Sequence, residues 1–331
     1  AYKSEDGYQW SQMFDEPLDM EGNFDSTNLA FWDPITQKYW AYIRNFHDAD
    51  PDFPEKELNK KIRDIRWSQS KDFKNWSKPE MLDFKGSPDV PLYVSAVQPY
   101  YRAPHCFLGF PVRYIEKKSW SPSFDQLPGP AFRKNLMQHH PRYGLALTDA
   151  VFMSSRDGKT WNRSEEAFLR PGLMHDTNWR YSDCFLTIGM QETKADLQGA
   201  PNDISMYYID HPWHSRKVLR RYTIRPDGFV SLSADSKGCM TVTRPFIFDG
   251  SKLTLNVSTS VVGGMKVEFQ DPCGRVIEGY SLIDCDEIFG DRLDYIVSWK
   301  GSSNVAGLAG KEVRMRFYME DADLFSFKFE E

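Results

Sequence analysis

One pattern, Ser-x-Asp-[Gly/Phe]-x-x-Trp, occurs three times in the chain. The copies begin at Ser4, Ser70 and Ser155, so successive copies lie 66 and 85 residues apart. In such a pattern the Ser and Asp side chains hydrogen-bond to the local backbone, Gly supplies a positive φ, and the Trp packs the turn onto its sheet. The spacing therefore predicts a tight hairpin that recurs once in each repeat of a larger unit.

The rest of the chain also favours strands over helices. Short segments rich in aromatic or β-branched residues are bounded by Gly, Pro, Asp or Asn, which is typical of β-structure. The high aromatic content, 15%, agrees with this class, and the clearest helical stretch is a short polar one at 55–62. The predicted strands cover 38–45, 106–114, 205–209, 219–224, 253–259, 265–270, 295–299, 313–319 and 325–329.

The repeat and the strands together predict two domains. After each motif Trp the chain enters a polar loop and then an inner segment, and these inner segments begin near Asp25, Val97 and Tyr181. Four-stranded units that repeat every ~65–85 residues predict the blades of a β-propeller over 1–237, with a partial first blade at 1–20. The closely spaced short strands of 238–331 predict a C-terminal β-sandwich. The predicted fold class is therefore all-β.

Several segments carry a resemblance to a known group of enzymes. They are 24–34 (FDSTNLAFWDP), the three motif copies, 281–291 (SLIDCDEIFGD), 297–317 and 321–329. With the propeller-then-sandwich order, they resemble the five-bladed β-propeller glycoside hydrolases, the clan of families 43, 32 and 68. The chain looks closest to bacterial family-32-like proteins of unassigned specificity.

The resemblance implies a glycosidase with three carboxylates facing a central channel, each from the inner strand of a different blade. One is the base or nucleophile, one orients its partners, and one is the general acid. The carboxylate of the first blade would precede Ala1, so a propeller incomplete at its N-terminus is expected. A location outside the cytoplasm, extracellular or periplasmic, is also expected.

Three carboxylates are the catalytic candidates, because glycosidic cleavage needs an acid and a second carboxylate. Asp25 opens an inner segment that also holds Asn28, and its alternative role is an Asx-turn. Glu192 ends an inner strand beside apolar residues that would favour its protonated form, and its alternative is a solvated strand end. Asp183 is the fallback acid. Asp25 and Glu192 are expected to project into one polar pocket at the propeller axis.

Basic, aromatic and amide side chains near the inner segments are the candidate substrate-binding residues. A guanidinium can bind a carboxylate or sulfate in a bidentate manner, or it can simply pair with a neighbouring Asp. Together these residues suit an anionic or heavily hydroxylated sugar. The set is Asn28, Arg44, Gln98, Tyr100, Arg102, His105, Arg113 and Arg180.

Composition excludes several other classes. A net charge of −6 and a pI near 5.7 argue against a general nucleic-acid binder, and no apolar run reaches the ~20 residues of a membrane-spanning helix. No phosphate-binding, dinucleotide-binding, zinc-protease or hydrolase-elbow motif is present. The five cysteines show no metal-binding spacing, and free thiols are preferred over a Cys273–Cys285 disulfide.

No metal site and no cofactor is expected, although a structural calcium ion is an alternative to turn formation for one acidic run. That run is Asp284, Asp286, Glu287 and Asp291. The preferred function is a glycoside hydrolase acting on a furanoside or an acidic glycan. The alternatives are a noncatalytic carbohydrate-binding propeller and a protein-interaction scaffold.

Overall fold

The computed structural model describes residues 1–48, 61–210 and 217–331, and most of its regular structure is β-strand. The described residues contain three α-helices, each of four to eight residues. This confirms the predicted all-β class. The predicted helical stretch at 55–62 lies outside the described residues, except for its last two positions, which begin a strand.

The elements are numbered in chain order. The strands are β1 (Tyr2–Lys3), β2 (Ser11–Gln12), β3 (Leu29–Asp33), β4 (Lys38–Asp48), β5 (Lys61–Ser70), β6 (Glu80–Met81), β7 (Val97–Tyr100), β8 (Ala103–Gly109), β9 (Val112–Glu116), β10 (Ala146–Ser155), β11 (Asn162–Leu169), β12 (Gln191–Thr193), β13 (Asp203–Asp210), β14 (Val218–Ile224), β15 (Leu232–Ala234), β16 (Cys239–Val242), β17 (Lys252–Gln270), β18 (Asp291–Ile296) and β19 (Arg314–Glu330). The helices are α1 (Pro122–Asp125), α2 (Pro130–Met137) and α3 (Arg142–Leu145), followed by a 3-10 turn at Ala306–Leu308.

The strands form five sheets. One is the two-stranded pair β1–β2, and another is a four-stranded sheet in the order β3–β4–β5–β6. The next has the order β7–β8–β10–β11, with β9 paired to β10, and a three-stranded sheet has the order β12–β13–β14. The last sheet has the order β15–β19–β17–β18, with β16 paired to β19.

The chain divides into two compact units. The first comprises Ala1–Gln191 and Ser205–Tyr222, and the second comprises Glu192–Ile204 and Thr223–Glu331. The first unit holds two successive four-stranded arrangements, β3–β6 and β7–β8–β10–β11, of the kind predicted for propeller blades. The number of blades and the domain limit at 238 stay predictions.

An aromatic core joins the first unit's strands. Alternate residues of β4 point to the same face of the sheet, so Trp40 and Tyr42 both enter this core. They meet side chains of the following sheet, among them Phe107, whose ring lies 5.5 Å from that of Trp40. The buried members of the core are Trp40, Tyr42, Ile65, Trp67, Leu82, Leu92, Val97, Phe107, Val151, Met153 and Trp161.

The repeated motif has the same local structure in all three copies, which confirms the predicted hairpin. In each copy the Ser hydroxyl donates to the Asp carboxylate, and that carboxylate accepts the backbone N–H groups of the residues two and three positions after the Asp. The fourth residue has a positive φ, 76° at Gly7, 63° at Phe73 and 73° at Gly158. The Trp indole N–H then donates to the carbonyl of that residue at 3.0–3.1 Å.

The three motif Trp side chains differ in burial, so the prediction that all are largely buried is wrong for one of them. Trp161 is fully buried in the aromatic core and Trp76 is half-buried. Trp10, in contrast, is 60% exposed. The reason is that its turn joins β1 and β2, which have two residues each and offer the ring no sheet face to pack on.

The second unit is built on two long strands. β17 and β19 pair along nearly their whole lengths, with register shifts after Asn256 and between Thr259 and Gly264. β15 and β16 pair with the two halves of β19. Its core includes Phe269, Phe317 and Trp299. The strands form one five-stranded sheet, and the sandwich arrangement stays a prediction.

The acidic run of the second unit forms a turn only in part: Asp284 lies in a turn, as predicted, whereas Asp291 is the first residue of β18. Asp284 accepts a hydrogen bond from the Ser281 hydroxyl at 2.8 Å and pairs with Lys300. Asp286 accepts from the Ser298 hydroxyl and from a backbone N–H. All five cysteines are free thiols, so the Cys273–Cys285 disulfide is not formed.

Candidate functional site

Three of the predicted site residues lie together beside the first inner strand. Asp25 and Asn28 belong to the loop before β3, and Arg44 lies opposite on β4. The Asn28 side-chain carbonyl accepts the backbone N–H of Arg44 at 2.8 Å, which fixes the loop to β4. The Arg44 guanidinium, which is buried, donates to the exposed carboxylate of Asp25. The pair thus presents a carboxylate to solvent on a buried, rigid support.

Arg44 also belongs to a larger group, here called the aromatic–arginine cluster. Its guanidinium lies over the rings of Phe46 and Tyr93, at 4.5 and 5.2 Å from their centroids. The Tyr93 ring contacts those of Tyr114 and Tyr181, at 5.7 and 6.0 Å between centroids. The cluster consists of Arg44, Phe46, Arg63, Tyr93, Tyr114, Tyr181 and Phe185.

The cluster joins segments that precede three different strands. β3, β7 and β12 are each the first strand of a sheet and lie at its edge. Asp25 and Asn28 come before β3, Tyr93 before β7, and Tyr181 before β12. Residues far apart in sequence therefore meet in the segments that precede these strands.

The electrostatics of the cluster are dominated by two buried cations. Arg63 lies 4.1 Å from the Tyr114 ring centroid and 5.5 Å from that of Tyr93, and it forms no ion pair within 1–48, 61–210 and 217–331. Burial lowers the pKa of Arg63, and the nearby Arg44 contributes to the lowering. Burial also raises the pKa of Tyr114 to about 12. The cluster therefore offers unneutralised positive charge beside neutral hydroxyl groups.

The backbone before β12 is strained. Trp179, Ser182 and Cys184 have φ values of 58°, 80° and 63°, a region that residues with a Cβ seldom adopt. Three such residues within six positions mark a functional-site candidate, because strain of this kind persists only where the surroundings impose it. The strained segment, 179–184, contains Tyr181 and Asp183.

Asp183 is the carboxyl group whose environment is most altered. Its Oδ2 accepts the backbone N–H of Arg180 at 2.8 Å, while its buried Oδ1 has no hydrogen-bond partner within the described ranges. Burial raises the pKa of Asp183 to about 7, and the charge of Asp210 adds to this effect. The group is therefore partly protonated near neutral pH, as a general acid must be.

A second carboxylate site was not found from the sequence. His47 bridges Asp64 and Asp89, with its Nδ1 and Nε2 at 3.1 and 2.8 Å from their carboxylate oxygens. These hydrogen bonds raise the pKa of His47 to about 9, so the imidazole is charged at neutral pH. No sequence signal pointed to this site, because the strand that carries Asp64 was not predicted; in the structure Asn45 faces Asp64 in the ladder, which brings His47 close to it.

Glu192, unlike the buried Asp183, has an open environment. It is exposed on β12, and its carboxylate accepts a hydrogen bond from the Asn202 side chain at 3.1 Å. It belongs to the second compact unit, whereas Asp25 and Asp183 belong to the first. A shared pocket of Asp25 and Glu192 therefore stays a prediction.

The other predicted binding residues occupy separate places. Arg113 makes a bidentate ion pair with Asp149, at 2.7 and 2.6 Å, and Arg180 donates to the Asp176 carbonyl at 2.7 Å. The remaining four lie on β7, on β8 and in the turn between these strands. They are the half-buried Gln98, the buried Tyr100, and the exposed Arg102 and His105. Tyr93, in contrast, precedes the N-terminal end of β7.

Residues 1–48, 61–210 and 217–331 contain neither of two further kinds of feature. No group of three or more His, Cys, Asp or Glu residues there is placed to hold a metal ion. No helix there is long and apolar enough to cross a membrane.

Comparison with protein families and with curated proteins finds no match. Solved structures give weak likenesses. One is an N-acetylgalactosamine deacetylase from F. plautii in complex with blood group B trisaccharide, with TM-score 0.37, 10% identity, 65% of this chain and 52% of that chain. Another is a family 43 arabinoxylan arabinofuranohydrolase from Bacillus subtilis in complex with cellotetraose, with TM-score 0.21, 9% identity, 89% of this chain and 52% of that chain.

A third is a fructofuranosidase from Schwanniomyces occidentalis complexed with fructose, with TM-score 0.26, 9% identity, 90% of this chain and 93% of that chain. The match spans about half the length of the first two structures. All three bind carbohydrate, but at these TM-scores they assign no family to this chain.

Proposed function

We propose that the protein is a glycoside hydrolase whose active site lies at the aromatic–arginine cluster. The observation that carries the proposal is the meeting of the segments before β3, β7 and β12, which brings Arg44 against both Asp25 and Tyr93 and brings Tyr93 against Tyr181. An exposed carboxylate beside buried guanidinium groups and aromatic rings suits a hydroxylated or anionic sugar.

Asp25 supplies the carboxylate that acts at the anomeric carbon or on its water. Its ion pair with Arg44 orients the group and leaves 68% of its side chain exposed to a ligand. In glycosidases the two carboxyl groups are about 5–5.5 Å apart when the reaction retains configuration and about 6.5–9.5 Å apart when it inverts it. Either outcome is compatible with the role given to Asp25.

Asp183 is the preferred general acid. A pKa of about 7 keeps a fraction of the group protonated at neutral pH, which protonation of a leaving-group oxygen requires. Its Oδ1 is enclosed, so proton delivery needs the strained segment to rearrange when substrate binds. Glu192, the acid chosen from the sequence, is the alternative. Export from the cytoplasm stays a prediction.

The second candidate function is noncatalytic carbohydrate binding. The observation that favours it is the same enclosed Oδ1, because a binding protein needs the arginine and tyrosine side chains but no accessible acid. In that case the strained segment would only shape the binding surface.

The dependence of kcat on the leaving group distinguishes a hydrolase from a binding protein. It also distinguishes Asp183 from Glu192 as the general acid. Asp183→Asn is expected to lower kcat on a glycan about 10²–10⁴-fold, with a much smaller loss on aryl glycosides whose leaving groups need no protonation. Glu192→Gln and the exposed control Glu166→Gln should both stay close to the wild type. If Glu192→Gln alone shows the selective loss, Glu192 is the acid. If the wild type cleaves no glycan while binding one, the proposed hydrolase function is wrong.

A further inference from the structure

A pocket of about 470 Å³ lies beside the strained segment, within the insertion between β9 and β10. Such a volume is in the range of small-molecule sites, roughly 300–1,000 Å³. None of its lining residues was a candidate from the sequence. They are Lys117, Lys118, Ser119, Ser121, Ser123, Phe124, Leu127, Leu147 and Trp179.

The polar lining of the pocket has hydrogen-bonding groups to spare. The Lys117 and Lys118 ammonium groups make no ion pair, and the hydroxyls of the three serines make no hydrogen bond, to any residue in the ranges that the structure describes. The carboxylate of Asp125, which follows these serines in α1, is paired with Lys134 at 3.2 Å. The residues that line the pocket therefore include two lysines and three serines whose side chains are open to a ligand.

The apolar side of the pocket is held rigidly. Phe124 is buried, and the Trp179 indole N–H donates to the Gly172 carbonyl at 2.9 Å. The Trp179 carbonyl accepts from the guanidinium of Arg133, a fully buried side chain that also donates to the Pro128 carbonyl at 3.1 Å. Arg133 thus ties the insertion to the strained segment, so the ring of Trp179 has a fixed place in the wall.

From these features we infer that the pocket binds an anionic sugar residue, one that carries a carboxylate or a sulfate group. The two ammonium groups and the serine hydroxyls suit the anionic group and the sugar hydroxyls, since charge-assisted hydrogen bonds are the strong ones. The Trp179 ring and the leucines suit the apolar face of the sugar ring. The inference deepens the proposed function, because it gives the substrate class as an acidic glycan.

Direct binding tests the inference without turnover. Isothermal titration of the intact protein uses methyl glucuronide, glucose 6-sulfate, neutral methyl glucoside and inorganic sulfate. We expect at least one of the two anionic sugars to bind about ten-fold more tightly than the neutral one, because hydrogen bonds to charged groups are stronger than those between neutral groups. The anionic sugar that binds more tightly shows whether the preferred anionic group is a carboxylate or a sulfate. Equal affinity for charged and neutral sugars overturns the inference, as does equal affinity for inorganic sulfate and the anionic sugars.

Matched variants locate the binding. Lys117→Gln/Lys118→Gln should weaken the anionic sugar about ten-fold and remove its preference over the neutral one. The control Lys71→Gln/Lys78→Gln removes two exposed charges elsewhere and should change nothing. Asp183→Asn should bind the anionic sugar as the wild type does, so its failure in catalysis concerns the proposed function alone. Unchanged binding in the Lys117/Lys118 variant, with an unchanged unfolding transition, contradicts the inference.

Discussion

The hydroxyl of Tyr181 donates a hydrogen bond to the hydroxyl of Tyr93 at 3.1 Å, across 88 positions of sequence. The bond joins the strained segment before β12 to the segment before β7. Both rings also contact Tyr114 on β9. The link is the point at which two of the three segments of the candidate site touch through polar atoms.

A double-mutant cycle on this pair measures the link. Tyr93→Phe and Tyr181→Phe remove the hydroxyls while leaving the rings in place. We expect a coupling of about 0.5–1.5 kcal/mol in the free energy of unfolding, the usual contribution of one hydrogen bond. The control pair, Tyr93→Phe with the exposed Tyr143→Phe, should be additive. Additivity in the Tyr93/Tyr181 cycle would show that the hydroxyls do not interact.

The raised pKa of Asp183 makes stability depend on pH. The folded protein holds this proton up to about pH 7, whereas the unfolded chain loses it near 3.8. Stability is therefore lost as pH rises from about 4 to 7, by at most about 4 kcal/mol at about 1.36 kcal/mol for each unit of pKa. Asp183→Asn should remove this loss.

Urea unfolding at pH 5 and pH 8 checks the prediction. Asp183→Asn should gain stability relative to the wild type as pH rises, while Asp176→Asn, at an exposed carboxylate nearby, should track the wild type. A constant difference between Asp183→Asn and the wild type at both pH values would mean that Asp183 is ionised in the folded protein.

His47 gives a dependence at higher pH. Because its hydrogen bonds to Asp64 and Asp89 raise its folded pKa to about 9 from 6.5, its stabilisation is complete below about pH 6.5 and is lost as pH rises to about 9. His47→Gln should abolish this part of the pH profile, and the exposed control His139→Gln should keep it. Titration of the His47 ring by NMR is the direct check. A midpoint near 6.5 would show that the bridge does not form in solution.

The motif Trp residues should differ sharply in their contribution to stability. Trp161→Ala empties a fully buried position and should cost about 3–5 kcal/mol in the free energy of unfolding. Trp10→Ala removes an exposed ring and one hydrogen bond, so it should cost at most about 1 kcal/mol. Chemical denaturation of both variants measures the contrast. Equal costs would mean that Trp10 is buried in solution.

Local sequence patterns predicted the parts of the fold that depend on local interactions. The three motif turns were predicted in their hydrogen bonding, because every partner lies within a few residues. The long strand β5 was not predicted, because its buried polar residues, such as Arg63 and Asp64, look like surface residues until their tertiary partners are known. β17 was predicted as two strands, 253–259 and 265–270, whereas the structure has one strand with a register shift between Thr259 and Gly264.

The candidate site was also predicted only in part. Polar residues at the start of an inner segment identified Asp25 and Asn28, and Arg44 was one of the basic residues near the inner segments; the structure brings the three together. The raised pKa of Asp183 depends on burial by distant strands, so no local pattern placed Asp183 ahead of Glu192. The pocket at Trp179 depends on the buried Arg133, whose carbonyl partners are visible only in three dimensions.

The most direct test of the proposed active site is the release of reducing ends from acidic and neutral glycans by the wild type and by Asp25→Asn. Glu21→Gln, an exposed carboxylate in the preceding loop, is the control. We expect the wild type and Glu21→Gln to release sugar at similar rates and Asp25→Asn to lose at least about 100-fold in kcat with an unchanged unfolding transition. Release by Asp25→Asn at the wild-type rate would contradict an active site at the aromatic–arginine cluster.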